Sequence, residues 1–136
     1  MVLSDWPPTD ISGSVSRQSR KLPAINEVEG LSPKIKQILQ VFKQKLETLY
    51  DERLASLVLY GSFARHEDTE GSDVDVLVVL KGAISQAEEI LRMGQIKTDL
   101  LLTYGELISV VPASQHDFLH RDSPLLQNIR CEGILV

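Results

Sequence analysis

Apolar residues occur along the chain in runs whose spacing predicts its secondary structure. Two short runs, Leu57–Tyr60 and Val74–Leu80, have the length and the branched side chains of buried strands. Ahead of them, apolar side chains recur at helical spacing from Pro33 to about Tyr50, and Ser32 precedes this stretch as a typical N-cap. The centre of the chain is therefore predicted to be a strand pair that follows an amphipathic helix.

The pattern continues with helix and strand signals in the second half. Residues 83 to about 103 favour a helix, which Gly94 weakens midway and can divide in two. Leu107–Val111 then predicts a third short strand, which we expect Pro112 to stop. Ser114 is a candidate cap for a short helix through His120.

The last stretch predicts a helical turn from Pro124 and a small apolar end at residues 134–136. The order of elements indicates an α/β (α+β) fold, with a small mixed β-sheet of three or four strands flanked by helices. Residues 1–30 are rich in Ser, Pro and Gly without a sustained period, so they are predicted to be an irregular N-terminal arm. Residues 31–136 are predicted to form one domain.

Charge is unevenly distributed in a chain whose formal net charge is -5. Residues 1–53 carry eight basic and seven acidic side chains, whereas residues 54–136 carry six and twelve. The acidic body argues against a nucleic-acid partner. The single cysteine, Cys131, excludes an internal disulfide, and Val76–Leu80 is too short an apolar run to cross a membrane. No secretory signal pattern is evident at the N-terminus, so a cytoplasmic location is expected.

Candidate chemistry lies between the two central strands. Asp73 and Asp75 are two residues apart at the start of an apolar strand, so their side chains should project to the same face. Residues 67–75 hold five acids and no Lys or Arg. Neighbouring carboxylates repel by about 1 kcal/mol per pair in water and by more where solvent is excluded. A bound cation would relieve this repulsion, and oxygen ligands favour Mg²⁺ or Mn²⁺.

Gly61-Ser62 follows the first central strand and precedes a short stretch of helical character at residues 63–66. A glycine there lets a phosphate approach the backbone, and the following N–H groups and the Ser62 hydroxyl can donate hydrogen bonds to it. Phosphate donors that face metal-binding acids form a site for a metal-bound triphosphate.

Gly61-Ser62, followed after ten residues by Asp73-Val74-Asp75, resembles the signature of the DNA polymerase beta-like nucleotidyltransferase superfamily. The flanking Ala64-Arg65 and Ser72 are similar to its small branch, the minimal nucleotidyltransferases. The resemblance is strong over residues 55–80 and implies the polymerase-beta-like nucleotidyltransferase fold.

The resemblance implies a role for each matching position. Asp73 and Asp75 would be the metal ligands and catalytic residues, holding Mg²⁺ or Mn²⁺ against the phosphates of ATP or another nucleoside triphosphate. Gly61 and Ser62 would hold the β- and γ-phosphates. The nucleotide-binding residues that the resemblance implies are Gly61, Ser62, Arg65 and Ser72. For Arg65, a surface ion pair with Glu67 or Glu70 is an equally open interpretation.

The sequence departs from the family pattern at two places. His66 stands where the family often has glycine. The family's third carboxylate lies on the next strand, where it completes the metal site and accepts the proton of the attacking hydroxyl, but residues 107–111 contain no acid. Glu106 is the nearest catalytic candidate, while Ser109 is the alternative occupant of the family position. If Glu106 cannot reach, the chain would bind a metal–nucleotide and transfer poorly.

Three functions stay open on the sequence. The first is an enzyme that transfers a nucleoside monophosphate, with AMP from ATP as the leading case, to a hydroxyl of a protein or a small molecule. The second is an antitoxin-type partner module, because minimal nucleotidyltransferases often pair with a HEPN-type toxin. The third is a degenerate nucleotide-binding domain. An open sheet edge also leaves homo-oligomerisation as an option.

Overall fold

The computed structural model describes residues 22–136, in which four strands form one mixed sheet. The strands are β1 (Leu54–Tyr60), β2 (Val74–Leu80), β3 (Ile108–Ser114) and β4 (Ile134–Leu135). The helices are α1 (Pro33–Tyr50), α2 (Gln86–Arg92), α3 (Gly94–Tyr104), α4 (Gln115–His120) and α5 (Pro124–Glu132). The strand order is β3-β2-β1-β4, in which β1 is antiparallel to β2 and to β4, and β2 is parallel to β3. The predicted fold class is confirmed.

Most elements lie where the sequence pattern predicts them. The bounds of α1 and β2 match the prediction, and the Ser32 hydroxyl caps α1 by accepting a hydrogen bond from the Ile35 N–H at 3.2 Å. The long predicted helix is divided at Gly94 into α2 and α3. Strand β1 begins at Leu54, three residues earlier than predicted, because Leu54 pairs with Leu80 at the far end of β2.

The prediction that Pro112 stops the third strand is wrong. β3 continues through Pro112 to Ser114, and Pro112 lies opposite Val78 in the parallel ladder. Because β3 is at the edge of the sheet, a missing N–H is tolerated there. The Pro112 carbonyl accepts a hydrogen bond from Gln86 Nε2 at 3.0 Å, so α2 covers the outer side of this residue.

Both faces of the sheet are covered, which explains why β2 is apolar at almost every position. Val76 and Val78 lie in the core formed with α1 and α3, whereas Leu77 and Val79 lie in the core formed with α4 and α5. We call these two sides of the sheet the α1 face and the α5 face. Side chains alternate between them along each strand.

Residues 22–31 pack against the sheet and its helices. The Pro23 carbonyl accepts a hydrogen bond from the Leu135 N–H at 2.8 Å, and Leu22 is buried on the α5 face. The assignment of residues 1–30 to an arm and 31–136 to the domain stays a prediction, and residues 1–21 lie outside the described part. No helix within residues 22–136 is long and apolar enough to cross a membrane.

Candidate active site

Four of the predicted site residues lie at one end of the sheet, where β1 ends and the antiparallel β2 begins; they are Gly61, Ser62, Asp73 and Asp75. Asp75 lies opposite Tyr60 on β1 and beside Ser109 on β3. Paired residues of neighbouring strands share a face, so these three side chains lie together on the α5 face. Asp73 comes two residues before Asp75 and is exposed. We call Asp73 and Asp75 the aspartate pair.

Gly61 brings the backbone of the following turn against this pair. Its φ is +78°, in the left-handed region that glycine adopts without strain. A Cβ built on Gly61 would overlap the Asp75 Oδ2 atom and would lie 3.0 Å from Asp75 Cγ. The position therefore requires glycine for two reasons, its backbone angle and the close approach of a carboxylate.

The residues after Gly61 form hydrogen-bonded turns, and the helical character predicted for them is limited to a single bond of α-helical type. That bond is donated by the Arg65 N–H to the Gly61 carbonyl at 3.1 Å. The Glu67 N–H closes the segment by donating to the Ser62 carbonyl at 2.8 Å. The half-buried Ser62 hydroxyl has no hydrogen-bond partner within residues 22–136, so it is available as a donor.

The aspartate pair is electrostatically unfavourable without a cation. Burial raises the pKa of Asp75, and the negative charge of Asp73 raises it further, while Arg65 opposes both effects. Burial also raises the pKa of Tyr60 to about 12, with a smaller contribution from Asp75. Tyr60 is therefore a neutral neighbour that does not compensate the carboxylate charge.

Arg65 is held by two acids. Its Nε donates to Glu67 Oε1 at 3.0 Å, and its Nη1 donates to Glu132 Oε2 at 2.9 Å. The ion pair with Glu67 is one of the two that the sequence analysis considered for Arg65. Glu132 is 67 residues away on α5, and nothing in the local pattern pointed to it. Arg65 thus ties the turn beside the aspartate pair to the last helix.

Ser72 has a structural role in the loop before β2. Its hydroxyl accepts a hydrogen bond from the Thr69 N–H at 2.8 Å, and its own N–H donates to the Thr69 carbonyl at 3.0 Å. Ser72 also lines a groove of about 320 Å³ together with Glu106 and Lys34. The Glu106 carboxylate forms an ion pair with Lys34 Nζ at 3.2 Å.

The structure does not bring Glu106 beside Asp75. Glu106 precedes Ile108, which packs on the α1 face, and its partner Lys34 belongs to α1. The β3 residue next to Asp75 is Ser109. Within residues 22–136, no three His, Cys, Asp or Glu side chains lie close enough together to hold a metal ion.

The two aspartates nevertheless suit a magnesium ion. Mg²⁺ is usually bound through one or two carboxylates, and the phosphates of a substrate and water complete its coordination. The aspartate pair supplies oxygen ligands at a position where a positive charge would remove the repulsion between them.

The backbone conformation at His66 explains why the family often has a glycine at this position. Its φ is +58°, one of two positive values among the non-glycine residues of the described chain. The imidazole lies against Gly30, since a Cβ built on Gly30 would be 2.9 Å from His66 Cε1. The turn therefore keeps the left-handed conformation that glycine favours, at some cost in strain.

The sequence is similar to known nucleotidyltransferases. The family model described as "Nucleotidyltransferase domain" matches residues 35–125, which contain Gly61 and the aspartate pair. Three proteins of Methanocaldococcus jannaschii, each named as a candidate protein adenylyltransferase, are 31%, 34% and 33% identical to the chain. The matches cover 49%, 59% and 68% of this chain and 73%, 74% and 64% of those proteins, respectively.

Among solved structures, a candidate nucleotidyltransferase from Sulfolobus solfataricus is similar to 79% of this chain, over 89% of its own length. The sequence identity is 14% and the TM-score is 0.47. The family model spans well over half of the chain and includes the turn at Gly61, both aspartates and Ser109. The chain is therefore a member of the nucleotidyltransferase domain family.

Proposed function

We propose that the protein is a metal-dependent nucleotidyltransferase, which transfers a nucleoside monophosphate from a nucleoside triphosphate to a hydroxyl group. The observation that carries this proposal is the contact of Gly61 with Asp75. The turn after Gly61 lies against the Asp75 carboxylate, which forms no ion pair with residues 22–136 and whose pKa is raised by burial and by the charge of Asp73. ATP is the proposed donor, with AMP as the group transferred.

Each residue has a distinct part in the proposed reaction. Asp73 and Asp75 would hold Mg²⁺ or Mn²⁺, which when bound neutralises charge on the phosphates and on the departing pyrophosphate. The absence of a side chain on Gly61 lets a phosphate reach the backbone of the turn, and the Ser62 hydroxyl would donate a hydrogen bond to it. The guanidinium of Arg65 lies one turn further on, and it would bind a triphosphate by exchanging one of its two carboxylate partners, Glu67 or Glu132, for a phosphate oxygen.

The acceptor is proposed to be a protein hydroxyl or a small-molecule hydroxyl. The names of the related archaeal proteins support AMP as the transferred group and a protein as the acceptor. A HEPN-type toxin is one protein that would fit this role. The acidic composition of residues 54–136 argues against a nucleic acid.

A second candidate function is a nucleotide-binding partner module of the antitoxin type, with little or no transfer. The observation that favours it is Ser109, which stands beside Asp75 where the family's third carboxylate is expected. A serine hydroxyl is a poor general base at neutral pH. Glu106, the proposed substitute, is neutralised by Lys34 on the other face of the sheet.

The first experiment tests nucleotide binding by calorimetric titration of ATP with and without Mg²⁺. We expect Mg²⁺-dependent binding that the double variant Asp73→Asn/Asp75→Asn abolishes. The matched control is Asp68→Asn/Glu70→Gln, which removes two charges from the adjacent loop and should bind nearly as the wild type does. If no metal supports binding by the wild type, both proposed functions fail.

The second experiment separates an enzyme from a binding module by following transfer of labelled AMP. Glu106→Gln should abolish transfer, with binding retained, if Glu106 acts as the base. Ser109→Asp adds a carboxylate beside Asp75 and should increase transfer if the missing acid limits the reaction. Binding without transfer in the wild type, together with a gain in Ser109→Asp, would favour the module.

A further inference from the structure

Arg65 has two carboxylate partners, and the fold holds one of them more firmly than the other. The Glu67 side chain is 67% exposed and comes from the same loop, two residues after Arg65. The Glu132 side chain is 27% exposed and comes from the last residue of α5. Water and salt weaken an exposed ion pair more than a partly buried one. The contact with Glu67 is therefore the easier of the two to exchange.

The backbone position of Glu132 is fixed by close packing on β1. Gly133 follows Glu132, and a Cβ built on Gly133 would lie 2.6 Å from Val58 Cγ1. The next residue, Ile134, pairs with Leu59 near the end of β1 that leads to the candidate active site. The end of α5 therefore cannot shift away from the sheet without breaking this packing.

The position of Glu132 at the end of a helix is explained by its contact with Arg65. The last turn of a helix carries a partial negative charge, so an acid is unfavourable there and a cation is favoured. Arg65 supplies that cation from outside the helix, since its Nη1 donates to Glu132 Oε2 at 2.9 Å. The guanidinium is thus attracted both by the end of α5 and by the carboxylate.

The guanidinium has an unused donor group next to the contact with Glu67. Nη1 is bonded to Glu132 and Nε to Glu67, whereas Nη2 has no hydrogen-bond partner within residues 22–136. Once Glu67 is displaced, Nε and Nη2 present the two parallel N–H groups with which arginine binds two oxygens of one phosphate. The positive charge of Arg65 already acts on Asp75, where it opposes the raised pKa, so a phosphate bound here lies near the aspartate pair.

We propose that Glu132 is a positioning residue for nucleotide binding, which holds Nη1 of Arg65 while a phosphate of the triphosphate replaces Glu67 at Nε and Nη2. The inference rests on the proposed function and deepens it, because it identifies which of two similar carboxylates the nucleotide exchanges. An acid that competes with the phosphate weakens binding, whereas an acid that orients the guanidinium strengthens it. Removal of the two charges should therefore have opposite effects.

Calorimetric titration of ATP with Mg²⁺ into the full chain tests this with two matched variants. Glu67→Gln should bind ATP about threefold more tightly, because it removes a competitor of the phosphate from an exposed ion pair. Glu132→Gln removes the same charge but should bind ATP about fivefold more weakly, because the guanidinium loses the partner that orients it.

The same substitution in an Arg65→Gln background separates positioning from a general loss of structure. Glu132 then has no guanidinium to orient, so Glu132→Gln should cause no further loss of ATP affinity. Equal losses from Glu132→Gln in the two backgrounds would overturn the positioning role.

Failure of the positioning role can be told apart from failure of the proposed function. If the wild type binds ATP with Mg²⁺ and Glu132→Gln binds it equally or more tightly, the positioning role is overturned and the proposed function stands. If the wild type binds no nucleoside triphosphate, the proposed function is overturned and the positioning role falls with it.

Discussion

Two carboxylates in this protein lie in buried surroundings and differ in what neutralises them. Glu89 on α2 is 3% exposed, and it accepts hydrogen bonds from the Tyr50 hydroxyl at 2.7 Å and from Arg92 at 2.6 Å. Arg53 adds a positive charge at 3.8 Å. Burial is the largest single influence on Glu89 and would raise its pKa, but the hydrogen bonds from Tyr50 and Arg92 and the two positive charges together lower it. Asp75 is less buried, and its pKa is nevertheless raised.

The comparison shows that burial of an acid does not by itself indicate a functional site. Glu89 is neutralised by its own surroundings, so it acts as a structural centre that joins α1, α2 and the segment before β1. Asp75 faces Asp73 and a neutral tyrosine, and the positive charge of Arg65, which is paired with Glu67 and Glu132, does not offset the raised pKa of Asp75. A carboxylate that the protein leaves uncompensated is the one that a ligand can neutralise.

The largest effect on ATP binding and on stability is expected from a substitution at Gly61 that displaces the Asp75 side chain. Gly61→Ala adds a Cβ that overlaps the Asp75 carboxylate and also strains the backbone at φ +78°. We expect ATP binding to fall by at least about 100-fold and the free energy of unfolding to fall by roughly 3 kcal/mol. Calorimetric titration and urea denaturation measure the two quantities.

Gly82→Ala is the control for that substitution. Gly82 has a similar φ of +80°, but a Cβ there would meet no atom within 4 Å. It should lose about 1 kcal/mol from backbone strain alone and should bind ATP normally. Equal losses of ATP binding in the two variants would show that the contact with Asp75 has no part in the site.

Removing the charge of each carboxylate should have opposite effects on stability and on nucleotide binding. Glu89→Gln removes the negative charge that Arg53 and Arg92 face and leaves a single amide oxygen as acceptor, so we expect a loss of roughly 2–3 kcal/mol in the free energy of unfolding and normal nucleotide binding. Asp75→Asn should abolish nucleotide binding and should leave stability unchanged or raise it by up to about 1 kcal/mol. Loss of stability in both variants would remove the distinction between the two acids.

The two acids should also have opposite effects on the pH dependence of stability. Because the pKa of Glu89 is lowered by folding, its contribution is present above its ordinary value of 4.5 and is lost as the pH falls through the folded pKa. The pKa of Asp75 is raised above 3.8, so its contribution favours folding in acid and is lost as the pH rises through the folded pKa.

Urea denaturation from about pH 7 to about pH 3 measures this difference. The advantage of the wild type over Glu89→Gln should shrink as the pH falls. The wild type should lose stability relative to Asp75→Asn as the pH rises through the same range. Parallel curves for the wild type and Asp75→Asn would contradict the raised pKa.

The sequence predicted the elements that depend on local pattern. The apolar period of α1, its Ser32 cap and the apolar run of β2 are local signals, and each is confirmed. The prediction for Pro112 was wrong because a proline is excluded only where its N–H must join a ladder, and the position of β3 at the sheet edge is a tertiary property. The β-bulge at Ala55, which has no opposite residue between the Leu54–Leu80 and Ser56–Val79 pairs, likewise depends on pairing with β2.

The site was predictable to the extent that its residues are close in sequence. Gly61 and the aspartate pair lie within one strand–turn–strand unit, so spacing alone brought them together. The partners that decide the role of other residues come from distant elements. Glu132 holds Arg65 from α5, and Lys34 holds Glu106 from α1. Neither contact has a signature in sequence spacing, so the roles of Arg65 and Glu106 could not be settled from motifs.

The smallest predicted effect concerns the backbone beside the aspartate pair. His66 adopts φ +58° in the turn that follows Gly61, and the other positive non-glycine φ of the described residues, +51° at Asp51, lies between Tyr50 and Arg53, the partners of Glu89. His66→Gly should raise the free energy of unfolding by roughly 0.5–1 kcal/mol. The relief of backbone strain should exceed two losses, the imidazole contact with Gly30 and the greater entropy of the unfolded chain. His66→Ala removes the same contact and keeps the strain, so it should be less stable than the wild type. The two variants differ only in a Cβ, and urea denaturation that ranks the alanine variant above the glycine variant would show that the turn stores no strain. Should the glycine variant be more stable and bind ATP as the wild type does, the strain at His66 is a cost that nucleotide binding does not require.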